Sequence, residues 1–390
     1  MIRHIFTLFW NQKKKYGGMF IEQAVVFVVL VFCFVNTGET LARYYTPGML
    51  NTENTLQFGP ELKLEGRSLS SEETENMMRH LCETLRTHLS VVAVSECAFF
   101  VPYVRSENMN PKDSLKCEGK SVQIYVKGAD EFTASVFDIK LEEGRWLPGK
   151  ILADGTYPAI VTRQLADRFG WHEVVGRNIS LNGKACTIVG VMAGLKQEVY
   201  KESCPTLILP YEVCGYSDWP EFIVRVRDGE LKTFSNLLDR ECSRLFAGTN
   251  QEIGIYSVEG LKITTMLSNI VSVGTIVIPT SFLLIFTFIG TFGLFWLYST
   301  KRIKEFALRL VVGSTVGGFH RFVILESFVL TVLALLLGLG LFVFVYPLQF
   351  VPMLALGSAV VIMIIFSMFS AWWPAYRVSR VNPVEAMREE

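Results

Sequence analysis

Four long apolar runs divide the chain unevenly, one near the N-terminus (20–36) and three toward the other end (271–298, 322–346 and 350–373). A helix needs roughly 20 mostly apolar residues to cross the hydrocarbon core of a bilayer, and each run reaches or approaches that length. Only Glu22 and Glu326 carry charge inside them, both within a few residues of an end. Between the first and second runs lies a polar stretch far too long for a connecting loop. The pattern predicts a membrane protein of four transmembrane α-helices, one plus three, with a large folded domain inserted between spans one and two. Something outside the membrane is thereby tied mechanically to something inside it.

Orientation follows from the basic residues. The tail before span one has Arg3, Lys13, Lys14 and Lys15 and no acid. The segment between spans two and three has Lys301, Arg302, Lys304, Arg309 and Arg321 against Glu305, and the C-terminal tail adds Arg377, Arg380 and Arg388. Lys and Arg resist translocation and collect on the cytoplasmic side, so both termini and 299–321 are expected inside. The expected order is then a cytoplasmic tail (1–18), span one (19–37), an extracytoplasmic α/β domain with stalk helices (38–268), span two (269–298), a cytoplasmic segment (299–321), spans three (322–346) and four (350–373), and a cytoplasmic tail (374–390). The formal net charge is +0, but it conceals a basic inner side and a mildly acidic outer domain. Nothing in it suggests nucleic acid. Span one reads as a retained anchor, because no small-x-small cleavage site follows it.

The outer domain reads as mixed α/β. Ser70 and Glu73 have the spacing of a capping box, and the helix they would start carries Met77, Met78, Leu81, Leu85 and Leu89 on one face. Strands are expected at 91–101, 121–127, 159–162, 186–191 and 222–226, and helices at 165–169 and 231–246. Asn182-Gly183, between 179–181 and 184–189, signals a hairpin turn. Helical spacing in 258–268 (Leu261, Thr264, Thr265, Ser268) would continue into span two. Seven of the eight cysteines fall in this domain; an odd count without a Cys-x-x-Cys pair specifies neither a metal site nor a disulfide set. His80, Cys82 and His88 share the predicted helix, but His80 and Cys82 point to different faces.

Gly144-Arg-Trp-Leu-Pro-Gly149-Lys150 has the glycine and lysine spacing of a phosphate-binding loop, but Ile151 stands where a Mg²⁺-binding hydroxyl belongs. It reads as a glycine-lined turn after a strand. With no other Walker-type loop, no Gly-x-Ser-x-Gly elbow and no His-Glu-x-x-His helix, the chain is expected to be non-catalytic and to hold no cofactor of its own.

The segment 299–328 reads STKRIKEFALRLVVGSTVGGFHRFVILESF. As a helix over 300–312 it would place Ile303, Phe306, Ala307, Leu310 and Val311 on one stripe. Lys301, Glu305 and Arg309 would form another at i, i+4 and i+8, with signs able to pair. Such a helix would lie against membrane lipid with its apolar face down and offer its charged face to a cytoplasmic partner; the residues alone fit equally a solvated basic loop that satisfies the positive-inside rule. This segment resembles the coupling region of the MacB/FtsX-like permease family of ABC transporters (the type VII superfamily). Glu305, Arg309, Gly313, Thr315 and Glu326 stand where that family's pattern has its Glu, Arg, Gly, Ser/Thr and Glu, while Phe306 and Ala307 replace its usual Ile and Gly. The tail Pro374-Ala375-Tyr-Arg377…Asn382-Pro383-Val384-Glu385-Ala386-Met387-Arg388 resembles the family's ending. In the outer domain, Phe137…Leu141…Gly144-Arg145, 159–170 and 175–191 match its extracytoplasmic core pattern.

The resemblance implies a permease subunit acting as a homodimer, or as a heterodimer with a related permease. It would engage two copies of a separately encoded ABC ATPase, which binds the ATP, and an adaptor or extracytoplasmic enzyme is a further partner of such permeases. It also implies that Lys301, Glu305, Arg309 and Gly313 couple to the ATPase and that Arg377, Pro383, Glu385 and Arg388 form the C-terminal motif. The expected activity is export or efflux by mechanotransmission. The alternatives are an FtsX-like regulator of an extracytoplasmic enzyme, a lipoprotein-releasing permease, or a four-span sensor receptor.

Overall fold

The computed structural model describes residues 7, 9–11, 13–63, 65–103, 111–216, 220–301 and 316–378. In chain order the elements are α1 (Lys13–Tyr45), β1 (Thr55–Leu62), α2 (Ser71–Arg86), β2 (Val91–Cys97), β3 (Lys112–Cys117), β4 (Lys120–Ala129) and α3 (Thr133–Phe137). Then come β5 (Leu141–Gly144), β6 (Tyr157–Thr162), α4 (Arg163–Phe169), β7 (Asn178–Leu181), β8 (Lys184–Met192), β9 (Thr206–Pro210) and β10 (Glu221–Val226). The last are α5 (Leu231–Leu245), β11 (Gln251–Ser257), α6 (Val258–Lys301), α7 (Val316–Val345) and α8 (Phe350–Val378). They form two units, Met1–Ala42 with Ile270–Glu390, and Arg43–Asn269. The helices α1 and α6 are the two connections between units, and each is continuous across the boundary.

In the first unit α1, α6, α7 and α8 are each long and apolar enough to cross a membrane. Helices α1, α7 and α8 share two apolar clusters, one around Phe27, Leu30, Leu335, Ala359 and Met363 and one around Met19, Val323 and Ala371. Half of the most apolar window of α1 is buried within the chain, against 11% for α6. Close approach of α1 and α7 depends on Gly338, where an added Cβ would stand 2.3 Å from the Phe27 ring. Small residues at such crossings replace the hydrophobic drive that lipid removes.

The second unit is built on two sheets. A four-stranded sheet, ordered β11-β1-β10-β2, shares a core with α2 and α5 through Phe58, Leu81, Leu85, Val94, Phe222 and Phe234. The capping box at α2 is complete: Glu73 N–H donates to Ser70 Oγ (3.1 Å) and Ser70 N–H to the Glu73 carboxylate (2.9 Å). That helix stops at Arg86, so Leu89 and His88 lie beyond it. The larger sheet runs β3-β4-β9-β6-β8-β5, with β7 paired to β8 and β4∥β9 and β6∥β8 parallel. Alternation sorts its residues: Ala159, Val161, Leu207 and Leu209 face one core, and Ile160 and Ile208 the other. Asn182 (φ 50°) and Gly183 (φ 79°) make the β7–β8 turn with both residues left-handed. All eight cysteines are free thiols.

The strand expected over 91–101 is shorter than its composition suggests. β2 stops at Cys97, and Ala98 exchanges both backbone hydrogen bonds with Gly128 of β4 (3.0 and 2.9 Å). The chain thus crosses from one sheet to the other, and two buried charges hold the crossing. The Glu221 carboxylate accepts from the backbone N–H of Phe100 (2.8 Å) and Val101 (3.1 Å). The Lys127 ammonium donates to the Phe99 carbonyl and to Gln197 Oε1 (3.4 Å).

Two outcomes follow from these contacts. Gly144 closes β5 at φ 80°, and a Cβ there would stand 2.1 Å from the Val189 carbonyl oxygen. Gly144→Ala should cost about 2–3 kcal/mol in chemical unfolding of the outer domain. Burial pulls the Lys127 amine down to about 8, with Glu221 opposing it. Below that pH the amine is charged in both folded and unfolded chains. Between about 8 and the ordinary lysine value, the folded chain releases a proton that the unfolded chain keeps, so stability from this group rises with pH. The thermal midpoint of the wild type should therefore gain on that of Lys127→Met between pH 7.5 and 9.5; a constant difference would contradict the assignment.

Candidate functional site

The outer end of α1 and the start of α6 meet the same core of the second unit. Val258 of α6 is fully buried there beside Leu195, Val199, Phe100 and Tyr103, with Tyr44, Tyr200, Leu261 and Met266 packed around them. Polar contacts fix both helices. Lys196 Nζ donates to the carbonyl of Arg43 (2.6 Å) and reaches that of Tyr44 (3.4 Å), in the last turn of α1. Ser203 Oγ donates to the Pro47 carbonyl (2.9 Å), and the Tyr44 and Tyr200 rings lie 5.7 Å apart. On the other helix, Thr265 Oγ1 donates to the Tyr103 carbonyl (3.2 Å), and Thr52 Oγ1 donates to the Glu259 carboxylate in the first turn. An acid there complements the positive end of the helix dipole, as Lys196 does the negative end of α1. Gly48 (φ +116°) closes the joint; a Cβ on it would stand 2.4 Å from Ser203 Oγ.

Within the membrane unit α1 is tied to its neighbours by side-chain hydrogen bonds. Tyr16 Oη donates to the Glu326 carboxylate of α7. Thr331 Oγ1 of α7 donates to Gln23 Oε1 (3.0 Å), and the hydroxyls of Ser327 and Ser367 lie 2.6 Å apart, joining α7 to α8. In hydrocarbon a polar group without such a partner is costly, so these residues set which helix faces meet. A cavity between α1, α6 and α8 measures about 20 Å³ and holds a water at most.

Of the residues that the sequence assigns to coupling, Glu305, Arg309 and Gly313 lie outside the described residues, as do Pro383, Glu385 and Arg388. Lys301 is the last residue of α6. The Arg377 guanidinium, near the end of α8, sits 4.9 Å from the Trp296 ring centroid of α6, and the His320 ring N–H of α7 donates to the Ala375 carbonyl (3.1 Å). The ends of α6 and α7 that flank 302–315 thus both meet the end of α8. The loop 144–150 carries no phosphate-site geometry: Gly144 pairs with Gly190 in the sheet, and Lys150 forms an ion pair with Glu212 at the rim of a cleft of about 250 Å³. No group of three metal-ligating side chains occurs among the described residues. Lys196, Lys127 and Glu221 had no signal in the sequence, because their partners are main-chain groups distant along the chain.

Comparison with known proteins agrees with this layout. A family model described as the MacB-like periplasmic core domain matches residues 24–236, and one described as the FtsX-like permease C-terminal region matches 276–383. The uncharacterized ABC transporter permease YknZ of Bacillus subtilis (strain 168) is 23% identical over 286 residues, 68% of this chain and 70% of its own length. The macrolide export ATP-binding/permease protein MacB of Neisseria meningitidis (strain MC58) is 22% identical over 284 residues, 67% of this chain. The chain spans only 43% of that longer relative. Among solved structures, the periplasmic region of MacB from Actinobacillus actinomycetemcomitans is 15% identical, with 55% of this chain and 93% of that one covered and a TM-score of 0.38. One family model covers more than half of the chain and a second covers most of the rest, so the chain belongs to the MacB/FtsX-like permease family of ABC transporters.

Proposed function

We propose that this chain is a permease subunit that converts ATP binding and hydrolysis by a separate cytoplasmic ATPase into motion of its extracytoplasmic domain, for export by mechanotransmission. The observation that carries the reading is the course of α1 and α6: each is one uninterrupted helix from a membrane span into the outer unit, and both end in one core. A load applied to either span then has no flexible linker in which to dissipate. In this reading the segment 299–321 is the coupling helix, two copies of the chain form the working dimer, and two ATPase subunits dock on it from the cytoplasm.

Two measurements test the proposal. Single cysteines at positions 184 and 304 should respond oppositely to an impermeant thiol reagent on intact cells, with 184 labelled and 304 protected; the reverse pattern would overturn the topology. Docking on the charged stripe would bury Glu305 and Arg309 against complementary groups, and a buried charge left without its partner costs about 3–5 kcal/mol. The double reversal Glu305→Arg with Arg309→Glu keeps net charge and the intrahelical pair but mismatches a partner. It should insert normally and lose co-purification of the ATPase by two to three orders of magnitude in affinity. A variant that recruits and stimulates its ATPase like the parent would sink the coupling role.

A further inference from the structure

We propose that Lys196 is the coupling clamp of the outer domain, the residue through which displacement of α1 is handed to the larger sheet. The inference rests on the transmission reading above. Its starting point is the way α1 ends. The last four carbonyls of a helix lack intrahelical partners, and the glycine that commonly closes such an end is absent here, since Tyr45 is followed by Thr46 and Pro47. The Arg43 carbonyl accepts from Thr46 N–H (3.2 Å) and Thr46 Oγ1 (2.7 Å), and the ammonium of Lys196 adds a charged donor from across the joint (2.6 Å) that also reaches the Tyr44 carbonyl (3.4 Å). A residue remote in sequence thus does the work of a helix cap.

Lys196 is itself held on several sides. It is fully buried, and its own backbone N–H donates to the Gly48 carbonyl (2.9 Å). Leu195 before it belongs to the shared core, and the Gln197 carbonyl after it accepts from Tyr103 N–H (2.9 Å). Gln197 Oε1 in turn meets the buried Lys127 of β4. The segment 193–205 that carries Lys196 leads from β8 to β9, two central strands of the larger sheet. A shift of the last turn of α1 therefore pulls on the loop between those strands. Burial pushes the Lys196 amine below the ordinary lysine value, so holding an ammonium at this place costs free energy. A residue needed only for filling the joint would not carry that charge. Its directional hold on two helix-end carbonyls is what the charge supplies.

The test uses the full chain with its ATPase in lipid nanodiscs, and hydrogen exchange as the readout. Lys196→Met should speed exchange of the amides of residues 43–46 by about tenfold or more, while thermal stability of the outer domain and basal ATPase turnover stay at wild-type values. On addition of ATP and vanadate, the wild type should change its exchange in 193–205, and Lys196→Met should lose that change. Lys196→Arg, which keeps the charge and the donors, should restore both. If Lys196→Met fails to fold, Lys196→Leu, neutral and without a donor, supplies the same comparison. Wild-type protection at 43–46, or a retained nucleotide response at 193–205 in the neutral variant, would overturn the clamp. A wild type that shows no nucleotide response anywhere would instead overturn the transmission reading, and the exchange of 43–46 would still decide whether Lys196 holds α1.

Discussion

A helix leaving a bilayer loses the lipid that solvated its side chains and must find new partners for them and for its end groups. Both α1 and α6 find those partners in one core, and the rest of the outer unit is organised by that requirement. The core takes Tyr44 and Val258 from the helices, Ala93, Cys97 and Ile223 from the smaller sheet, and Ile160, Val189 and Ile208 from the larger. Packed interiors behave like crystals rather than liquids, so neither helix end shifts without disturbing both sheets. The crossing at 98–103 adds hydrogen bonds to this packing, with Glu221 gripping its amides and Lys127 its carbonyl.

The parts of this arrangement that depend on local pattern were legible in the sequence. An apolar run of span length identifies a membrane helix without any alignment, and the Ser70–Glu73 box and Asn182-Gly183 turn need only neighbours in the chain. Strand β1 was not read because Gly59 and Pro60 interrupt it. The register explains why they are tolerated: β10 pairs only with 55–58, so Pro60 lies where the strand has a single neighbour. The overlong strand at 91–101 was misjudged because Phe99, Phe100 and Val101 are apolar whether they continue a sheet or cross between two. Short β9, Thr206–Pro210, has too few residues to declare a period. The joint was illegible for a different reason, since the importance of Lys196 lies in carbonyls some 150 positions away.

The membrane helices are not equivalent. Tyr16 and Gln23 tie α1 to Glu326 and Thr331 of α7 by hydrogen bonds that cost more to break in hydrocarbon than in water. Helix α6 leaves Ile278, Phe282, Ile285 and Ile289 exposed, an i, i+4, i+7, i+11 stripe that lipid solvates as well as protein does. Its contacts to the bundle include Phe288 against Phe366 and Phe369, with Leu284 and Leu294 packed against the two apolar clusters. Sliding α1 against α7 would strand those polar groups, while the described residues that α6 buries against the bundle are Thr280, Thr287 and Thr291.

Contacts of another kind join the helices at one end of the bundle, where Trp296 of α6 lies under Arg377 of α8 while His320 of α7 holds the Ala375 carbonyl. Aromatic rings and arginine suit the depth where hydrocarbon gives way to headgroups, and a cation over an indole face holds in both surroundings. Arg377 and Ala375 of α8 thus meet both α6 and α7 at this end of the bundle, so three spans are joined there by side-chain contacts. Only one of those three, α6, continues as helix into the outer unit, and α1, the other helix that does so, ends there under the ammonium of Lys196.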